Sequence, residues 1–149
     1  IIFTMPNSDT DGRILFKMIK NYVDKNDNCK VYTSLGQKKY LSCLQYVDGV
    51  IGNSSSGIIE VPSFKKGTID IGDRQRGRIK ASSVIECEPN QMSISKAITK
   101  LYSNNFQNEL MEVANPYGSG GASLKIVNFL EKTSFNDIIK KRFYDMEPK

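Results

Sequence analysis

The chain has 149 residues, 39% of them hydrophobic and 25% charged, and it carries a net charge of +5. This length is enough for one domain with a real core, and no apolar run approaches the roughly 20 residues that span a bilayer. We therefore expect a soluble, cytoplasmic, globular domain with no signal peptide and no membrane partner. The lysines and arginines are scattered over helical faces, which favours solvated surfaces over a nucleic-acid partner.

Cysteine and histidine usage narrows the chemistry. Cys29, Cys43 and Cys87 are an odd number without metal-ligand spacing, which predicts free thiols in a reducing compartment. The chain has no histidine, so it holds no Ser-His or Cys-His nucleophile and no histidine-based metal site. We expect no metal and no cofactor. Ile1 already lies in an apolar run, which suggests that the front of a larger protein is missing.

In chain order, short apolar runs alternate with segments of helical spacing. The runs predict strands at residues 1–5, 29–33, 48–52, 67–72 and 83–87, and helical spacing predicts helices at 13–25, 37–47, 58–61, 91–102, 106–113 and 122–130. A last amphipathic segment covers 135–144. The helix at 13–25 has one apolar stripe, made of Ile14, Leu15, Met18, Ile19, Tyr22 and Val23.

This alternation predicts one α/β domain over residues 1–149, a three-layer Rossmann-like parallel sheet with helices on both faces. In such sheets ligands bind outside the carboxyl ends of the strands. The polar loops at those ends are residues 7–12, 34–36, 53–56, 73–78 and 88–90. Their side chains are therefore expected to converge on one edge of the sheet.

The stretch at residues 52–60, GNSSSGIIE, joins a strand to a helix start. Ser54 or Ser55 is expected at or near the N-cap, with free backbone N–H groups and the helix dipole aimed at an anion. Glu60, one to two turns into the helix, is placed to accept hydrogen bonds from a ribose diol. The alternative is an ordinary cap before a core helix. The stretch is neither a P-loop nor a G-x-G-x-x-G fingerprint.

Three other positions are candidates with open alternatives. Asn7 ends a strand and is either a ligand-binding amide or a plain turn residue. Leu35 and Tyr40 offer a backbone amide and an aromatic face to a base, although Tyr40 fits a helix core equally well. Arg74 is the arginine assigned to phosphate, and its neighbours in the basic loop, Arg76 and Arg78, are expected to face solvent. No complete catalytic set is evident.

Three motifs in this order carry a family resemblance. GNSSSGIIE-x-PSF, then IDIGDRQRGR, preceded by SLGQKKYLSCLQYVDGVI, closely resemble the C-terminal half of hydrolysing UDP-N-acetylglucosamine 2-epimerases of the sialic-acid and related nonulosonate pathways. NPYGSGGAS is similar to that family's NPYG-D-G-x-A-S element. The resemblance covers essentially the whole chain. It implies the second of two Rossmann-like domains in a GT-B-like fold, with the N-terminal domain absent from this chain.

The resemblance also implies a reaction and a site. The family eliminates UDP from the sugar through a glycal, and water addition then gives N-acetylmannosamine and UDP. The implied UDP-binding residues are Asn7, Leu35, Tyr40, Ser54, Ser55, Glu60 and Arg74. The family's catalytic acids lie in its first domain, so the resemblance implies that this chain alone is inactive. Ser119 stands where the family usually has an acid, so that loop receives no role.

The partners expected from the resemblance are a UDP-sugar, the missing domain and, at full length, further copies of the protein. Two alternatives remain open. One is the donor-binding domain of a GT-B glycosyltransferase, and the other is a nucleotide-binding module without chemistry. The upstream half separates them, because epimerases carry clustered acids there and glycosyltransferases carry an acceptor site.

Overall fold

A computed structural model describes residues 1–5 and 12–136 of the chain. Its strands are β1 (Ile2–Thr4), β2 (Lys30–Tyr32), β3 (Gly49–Gly52), β4 (Gly67–Ile71) and β5 (Val84–Cys87). Its helices are α1 (Gly12–Val23), α2 (Gly36–Leu44), α3 (Ser56–Ile59), α4 (Gln91–Leu101), α5 (Asn104–Met111) and α6 (Ala122–Lys132), with a 3₁₀ turn at Val61–Phe64. These are parallel sheets flanked by helices, and the predicted Rossmann-like α/β class is confirmed.

The described residues form two compact units. Ile1–Tyr117 holds every strand and the helices α1 to α5, and the second unit, from Gly118 onward, holds α6. No helix in the described part of the chain is long and apolar enough to cross a membrane. Asn7 and most of the predicted segment at 135–144 lie outside the described residues.

The strands of the first unit divide into two separately hydrogen-bonded sheets. β1 pairs with β2, and β4 lies between β3 and β5; every pairing is parallel. The apolar runs predict the five strands but do not indicate this division, because the strand pattern alone does not say which strands are neighbours.

β4 is the centre of the core because it has a strand on each side. Its first four residues are buried, and Ile69 is fully buried. Ile69 belongs to a continuous hydrophobic cluster with β5, α4 and α5, made of Ile69, Ala81, Ile85, Ala97, Leu101, Phe106, Leu110 and Val113. Asn90 caps α4 by accepting from Ser93 N–H at 2.9 Å, which fixes the start of the helix that covers β4 and β5.

The apolar stripe of α1 is largely exposed in the described structure. Ile14, Leu15, Met18 and Tyr22 are between 47% and 62% exposed, and no α1 residue is buried. Tyr22 does make an edge contact with Phe3 of β1, with ring centroids 6.0 Å apart. The helical period was read correctly, but no element among the described residues covers most of this apolar face.

The helix after β3 covers Ser56–Ile59, so it begins and ends two residues earlier than the predicted 58–61. α3 contains four residues and passes directly into the 3₁₀ turn at Val61–Phe64. Pro62 explains the change, since it has no N–H to continue an α-helical ladder. Glu60 therefore stands at the C-cap of a one-turn helix and not inside a longer one, which corrects the predicted position.

Candidate functional site

The carboxyl ends of β1, β2 and β3 surround one cleft of about 480 Å³, called here the strand-end cleft. Thr4 and Met5 line it from the end of β1, and Thr33 and Ser34 from the end of β2. Four of the predicted site residues line it as well: Leu35, Tyr40, Ser54 and Glu60. Their convergence follows from parallel strands, whose carboxyl ends meet at one edge.

The serine turn, residues 52–56, forms one wall of this cleft. Gly52 ends β3 with a φ of 151°, a conformation that side-chain-bearing residues rarely adopt. Ser55 is the N-cap of α3, as predicted, but no side chain caps the helix; Ser54 Oγ accepts a long bond of 3.4 Å from Ser56 N–H. Among the described residues, no acceptor bonds the N–H of Ser54 or Ser55.

Two free N–H groups are therefore available to an anion at this turn. The contribution of the helix dipole is smaller than predicted, because only a few peptide units align in a four-residue helix. Any anion held here depends mainly on direct hydrogen bonds to the Ser54 and Ser55 amides.

Tyr40 links α2 to the serine turn. Ser56 Oγ donates a hydrogen bond to Tyr40 Oη, and the half-buried ring lines the cleft. Burial raises the pKa of Tyr40; the Ser56 hydrogen bond opposes this, and the nearby Glu60 charge adds to it. The phenol therefore stays protonated at neutral pH. In the sequence, Ser56 is one of three consecutive serines. Only the fold shows that Ser56 is the serine that contacts Tyr40.

Glu60 lines the same cleft, half-buried, and no donor among the described residues bonds its carboxylate. Asn115 supports the backbone beside it. Asn115 Nδ2 donates to Ile59 O at 2.8 Å and to Ser63 Oγ at 2.7 Å, joining the end of α3 to the 3₁₀ turn. The NPYG motif thus has a supporting contact that its residue types did not reveal.

The basic loop, residues 73–81, contacts the serine turn at Asn53. Arg74 Nη1 lies 3.5 Å from Asn53 Oδ1, the outer limit of a hydrogen bond, and its side chain is exposed. Gln75, only 3% exposed, donates from Nε2 to Asn53 O at 2.6 Å. The sequence shows Gln75 only as the residue between two arginines, although it makes the shortest contact between loop and turn.

Two contacts hold the far end of the basic loop. Lys80 Nζ pairs with the buried Asp70 of β4 at 2.9 Å and also bonds Glu86 of β5. Burial lowers the pKa of Lys80, but Glu86 and Asp70 outweigh it and raise the pKa above its usual value, so the ammonium stays charged. Tyr117 Oη donates to Ile79 O at 2.9 Å. The loop therefore has anchors near both ends.

The predicted residues fall into three groups. Leu35, Tyr40, Ser54 and Glu60 share the strand-end cleft. Ser55 and Arg74 stand next to it without lining it, Ser55 in the serine turn and Arg74 against Asn53. Asn7 lies outside the described residues. The three cysteines are free thiols, as predicted. Among the described residues, no group of three His, Cys, Asp or Glu side chains is arranged to hold a metal ion.

Comparison with known proteins gives a consistent result. The family model described as UDP-N-acetylglucosamine 2-epimerase matches residues 1–131. The chain is 38% identical over 148 residues to a GDP/UDP-N,N'-diacetylbacillosamine 2-epimerase (hydrolyzing) of Campylobacter jejuni, covering 98% of this chain and 38% of the relative. It is 36% identical over 151 residues to the Polysialic acid biosynthesis protein P7 of Escherichia coli, covering 97% and 37%.

A UDP-N,N'-diacetylbacillosamine 2-epimerase (hydrolyzing) of Legionella pneumophila is 30% identical over 131 residues, covering 88% of this chain and 33% of the relative. The chain thus spans between 33% and 38% of the length of these curated relatives.

Proposed function

Because the chain belongs to the UDP-N-acetylglucosamine 2-epimerase family, we propose that it is the UDP-binding part of a hydrolysing UDP-sugar 2-epimerase. The observation that supports this most directly is the convergence of Leu35, Tyr40, Ser54 and Glu60 on one cleft at the strand ends. In parallel α/β sheets this is where nucleotides bind. The proposed whole enzyme converts UDP-N-acetylglucosamine to N-acetylmannosamine and UDP, in the formation of sialic acid or a related nonulosonate.

Each group in the cleft has a proposed part in binding UDP. The free N–H groups of Ser54 and Ser55 donate to the diphosphate, and Arg74 approaches it from the basic loop. The Glu60 carboxylate, which has no protein donor among the described residues, accepts from the ribose hydroxyls. Leu35 and the neutral Tyr40 flank the uracil. Catalytic acids and bases come from other parts of the enzyme.

A second sugar is favoured by a specific observation. Two of the relatives, at 38% and 30% identity, are named for N,N'-diacetylbacillosamine; UDP is the nucleotide that both names contain, and the name of the first also contains GDP. Because the cleft residues named above are assigned to UDP, a binding test on this chain needs only the nucleotide. Comparing UDP with inorganic diphosphate then separates recognition of the nucleotide from simple anion binding.

We expect Glu60→Gln to weaken UDP binding by about 10- to 100-fold, because losing a charged acceptor to a hydroxyl costs roughly 1.5–3 kcal/mol. Inorganic diphosphate, which has no ribose, should lose little affinity. Titration calorimetry with both ligands measures this, and Glu109→Gln, on the exposed face of α5, is the matched control. Equal losses for the two ligands would show that Glu60 is structural and would contradict its assigned role.

A further inference from the structure

Gln75 is the one buried side chain among residues 73–80 of the basic loop. It is 3% exposed, whereas residues 73, 74 and 76–79 are exposed and Lys80 is half-buried. Its Nε2 donates to Asn53 O of the serine turn at 2.6 Å, but its Oε1 is buried and has no donor among the described residues. Burying an acceptor without a donor costs stability, and an apolar side chain of similar size would avoid that cost. The hydrogen bond to Asn53 O is therefore the contact that distinguishes glutamine from an apolar residue here.

The Asn53 carbonyl that accepts this bond shares one peptide group with the N–H of Ser54. A peptide group is planar, and no cis peptide bond occurs among the described residues, so this C=O and this N–H point in opposite directions. A side chain that fixes the direction of Asn53 O therefore also fixes the direction of Ser54 N–H, which has no acceptor among the described residues. Accepting a hydrogen bond at the C=O polarises the peptide group and makes its N–H a stronger donor.

The positions of these residues around the strand-end cleft agree with this direction. Ser54 lines the cleft, whereas Asn53 and Gln75 do not. Gln75 therefore contacts the serine turn from outside the cleft, and the Ser54 N–H points away from Gln75. The backbone before Asn53 supplies little restraint of its own, because Gly52 has no side chain and adopts a φ of 151°.

The second free N–H of the turn, that of Ser55, depends on a different contact. It shares its peptide group with Ser54 O, which accepts from Gly57 N–H at 3.1 Å at the start of α3. That direction is set by the backbone and needs no side chain. Of the two free N–H groups, only that of Ser54 is set by a side chain of the basic loop.

A second attachment of the basic loop keeps Gln75 in this position. Lys80 Nζ lies 2.9 Å from Oδ2 of the buried Asp70, and Asp70 pairs in register with Gly52, the first residue of the serine turn. The loop thus leaves β4 after Ile71 and is tied back to the same strand at Asp70. A closed loop has fewer conformations than a free one, so Gln75 stays against the turn at little further cost in entropy.

We propose that Gln75 is a positioning residue for the diphosphate: its side-chain amide sets the Asn53–Ser54 peptide group so that the Ser54 N–H donates to a phosphate oxygen. The proposal rests on the proposed binding of UDP in the strand-end cleft, and it adds a residue that itself touches no ligand. Gln75 then contributes to phosphate binding alone, because the base and the ribose contact other residues. Its effect on ligands differs from that of Glu60, which is assigned to the ribose and not to phosphate.

Gln75→Met tests the proposal, because methionine is close to glutamine in length and lacks the donor. We expect the affinities for UDP and for inorganic diphosphate to fall by the same factor, about tenfold, which corresponds to one weakened hydrogen bond to a charged group. Affinity for uridine, which has no phosphate, should not change. Titration followed by NMR measures all three ligands, and urea unfolding verifies that the variant is folded.

Gln107→Met is the matched control. Gln107 Nε2 also donates to a backbone oxygen at 2.6 Å, that of Leu101, but Gln107 lies in α5 and does not line the strand-end cleft. Its loss should leave the affinity for all three ligands unchanged. A further readout needs no ligand: the NMR resonance of the Ser54 amide should shift in Gln75→Met and not in Gln107→Met, because only the first removes the donor from the preceding carbonyl.

The outcomes separate the role of Gln75 from the proposed function. Failure of the unaltered chain to bind either UDP or diphosphate would contradict the proposed function and, with it, the role of Gln75. Normal binding that Gln75→Met leaves unchanged, with an unshifted Ser54 resonance, would overturn the role of Gln75 alone. A loss confined to UDP would overturn it as well, because the effect would then lie at the ribose or the base. Gln75→Glu, which keeps the shape of glutamine but presents an oxygen to Asn53 O, should weaken both phosphate ligands at least as much as Gln75→Met.

Discussion

Arg74 is the arginine whose guanidinium contacts the serine turn, 3.5 Å from Asn53 Oδ1. A guanidinium can bond two phosphate oxygens in one plane, whereas a lysine ammonium acts as a point charge and does not reproduce that geometry. We expect Arg74→Lys to weaken UDP binding by about tenfold, which corresponds to roughly 1.4 kcal/mol. Titration at low ionic strength measures the change in affinity, because added salt would screen the exposed guanidinium of Arg74.

Arg76→Lys and Arg78→Lys are the matched controls, since both arginines are exposed members of the same loop. Neither makes a side-chain hydrogen bond to the described residues, so the expected change is small. A larger loss from either control than from Arg74→Lys would show that another arginine of the loop reaches the diphosphate.

Sequence patterns identify single residues only where the motif itself carries the chemistry. Ser54 and Glu60 could be selected because small hydroxyl residues and a following acid suit a nucleotide. Gln75 is 3% exposed and donates a hydrogen bond to Asn53 O of the serine turn. Its contribution depends on this position, which is set by where the basic loop folds back. No local pattern distinguishes it from Arg74 or Arg76.

At the scale of elements, α3 lies close to β4 because residue 57 is glycine. A Cβ built on Gly57 would stand 2.5 Å from Thr68 Cγ2, and Thr68 Oγ1 donates to Gly57 O at 2.7 Å. We expect Gly57→Ala to lower the free energy of unfolding by about 1–3 kcal/mol through overpacking. Urea unfolding measures the change, and UDP affinity should fall with it because the serine turn moves with α3.

Thr68→Ser provides the rescue, since it removes the clashing methyl group and keeps the hydroxyl bond to Gly57 O. We expect the double variant Gly57→Ala, Thr68→Ser to recover part of the lost stability, which a double-mutant cycle quantifies. If the two effects simply add, the contact between Gly57 and Thr68 does not set the distance between α3 and β4.

The same scale shows where strand and helix patterns succeed. All five strands were predictable because each apolar run is bounded by glycine, proline or polar turn residues. The bounds of α3 and the exposure of α1 were not predictable. The first depends on where Pro62 interrupts the backbone hydrogen-bond ladder, and the second on which elements are present to cover a correctly identified apolar stripe.

At the scale of the whole molecule, several kinds of group lack a partner among the described residues. The apolar side chains of α1, one edge each of β1 and β3, and the free N–H groups of the serine turn all lack a covering group among the described residues. These features concern packing, backbone pairing and ligand binding respectively.

We expect the chain of 149 residues, assayed alone, to release no measurable UDP from UDP-N-acetylglucosamine. Proton transfer at C2 of the sugar needs a general base, and the chain has no histidine. Glu60, the one acidic residue that lines the strand-end cleft among residues 1–5 and 12–136, is assigned to the ribose. The measurement is UDP release under single-turnover conditions at excess protein, with the full-length Campylobacter relative assayed in parallel against its own UDP-sugar. Turnover by the isolated chain at a comparable rate would contradict the proposal that the catalytic groups lie outside this chain, and it would contradict the assignment of Glu60 to the ribose. UDP binding without UDP release from the sugar nucleotide would support both.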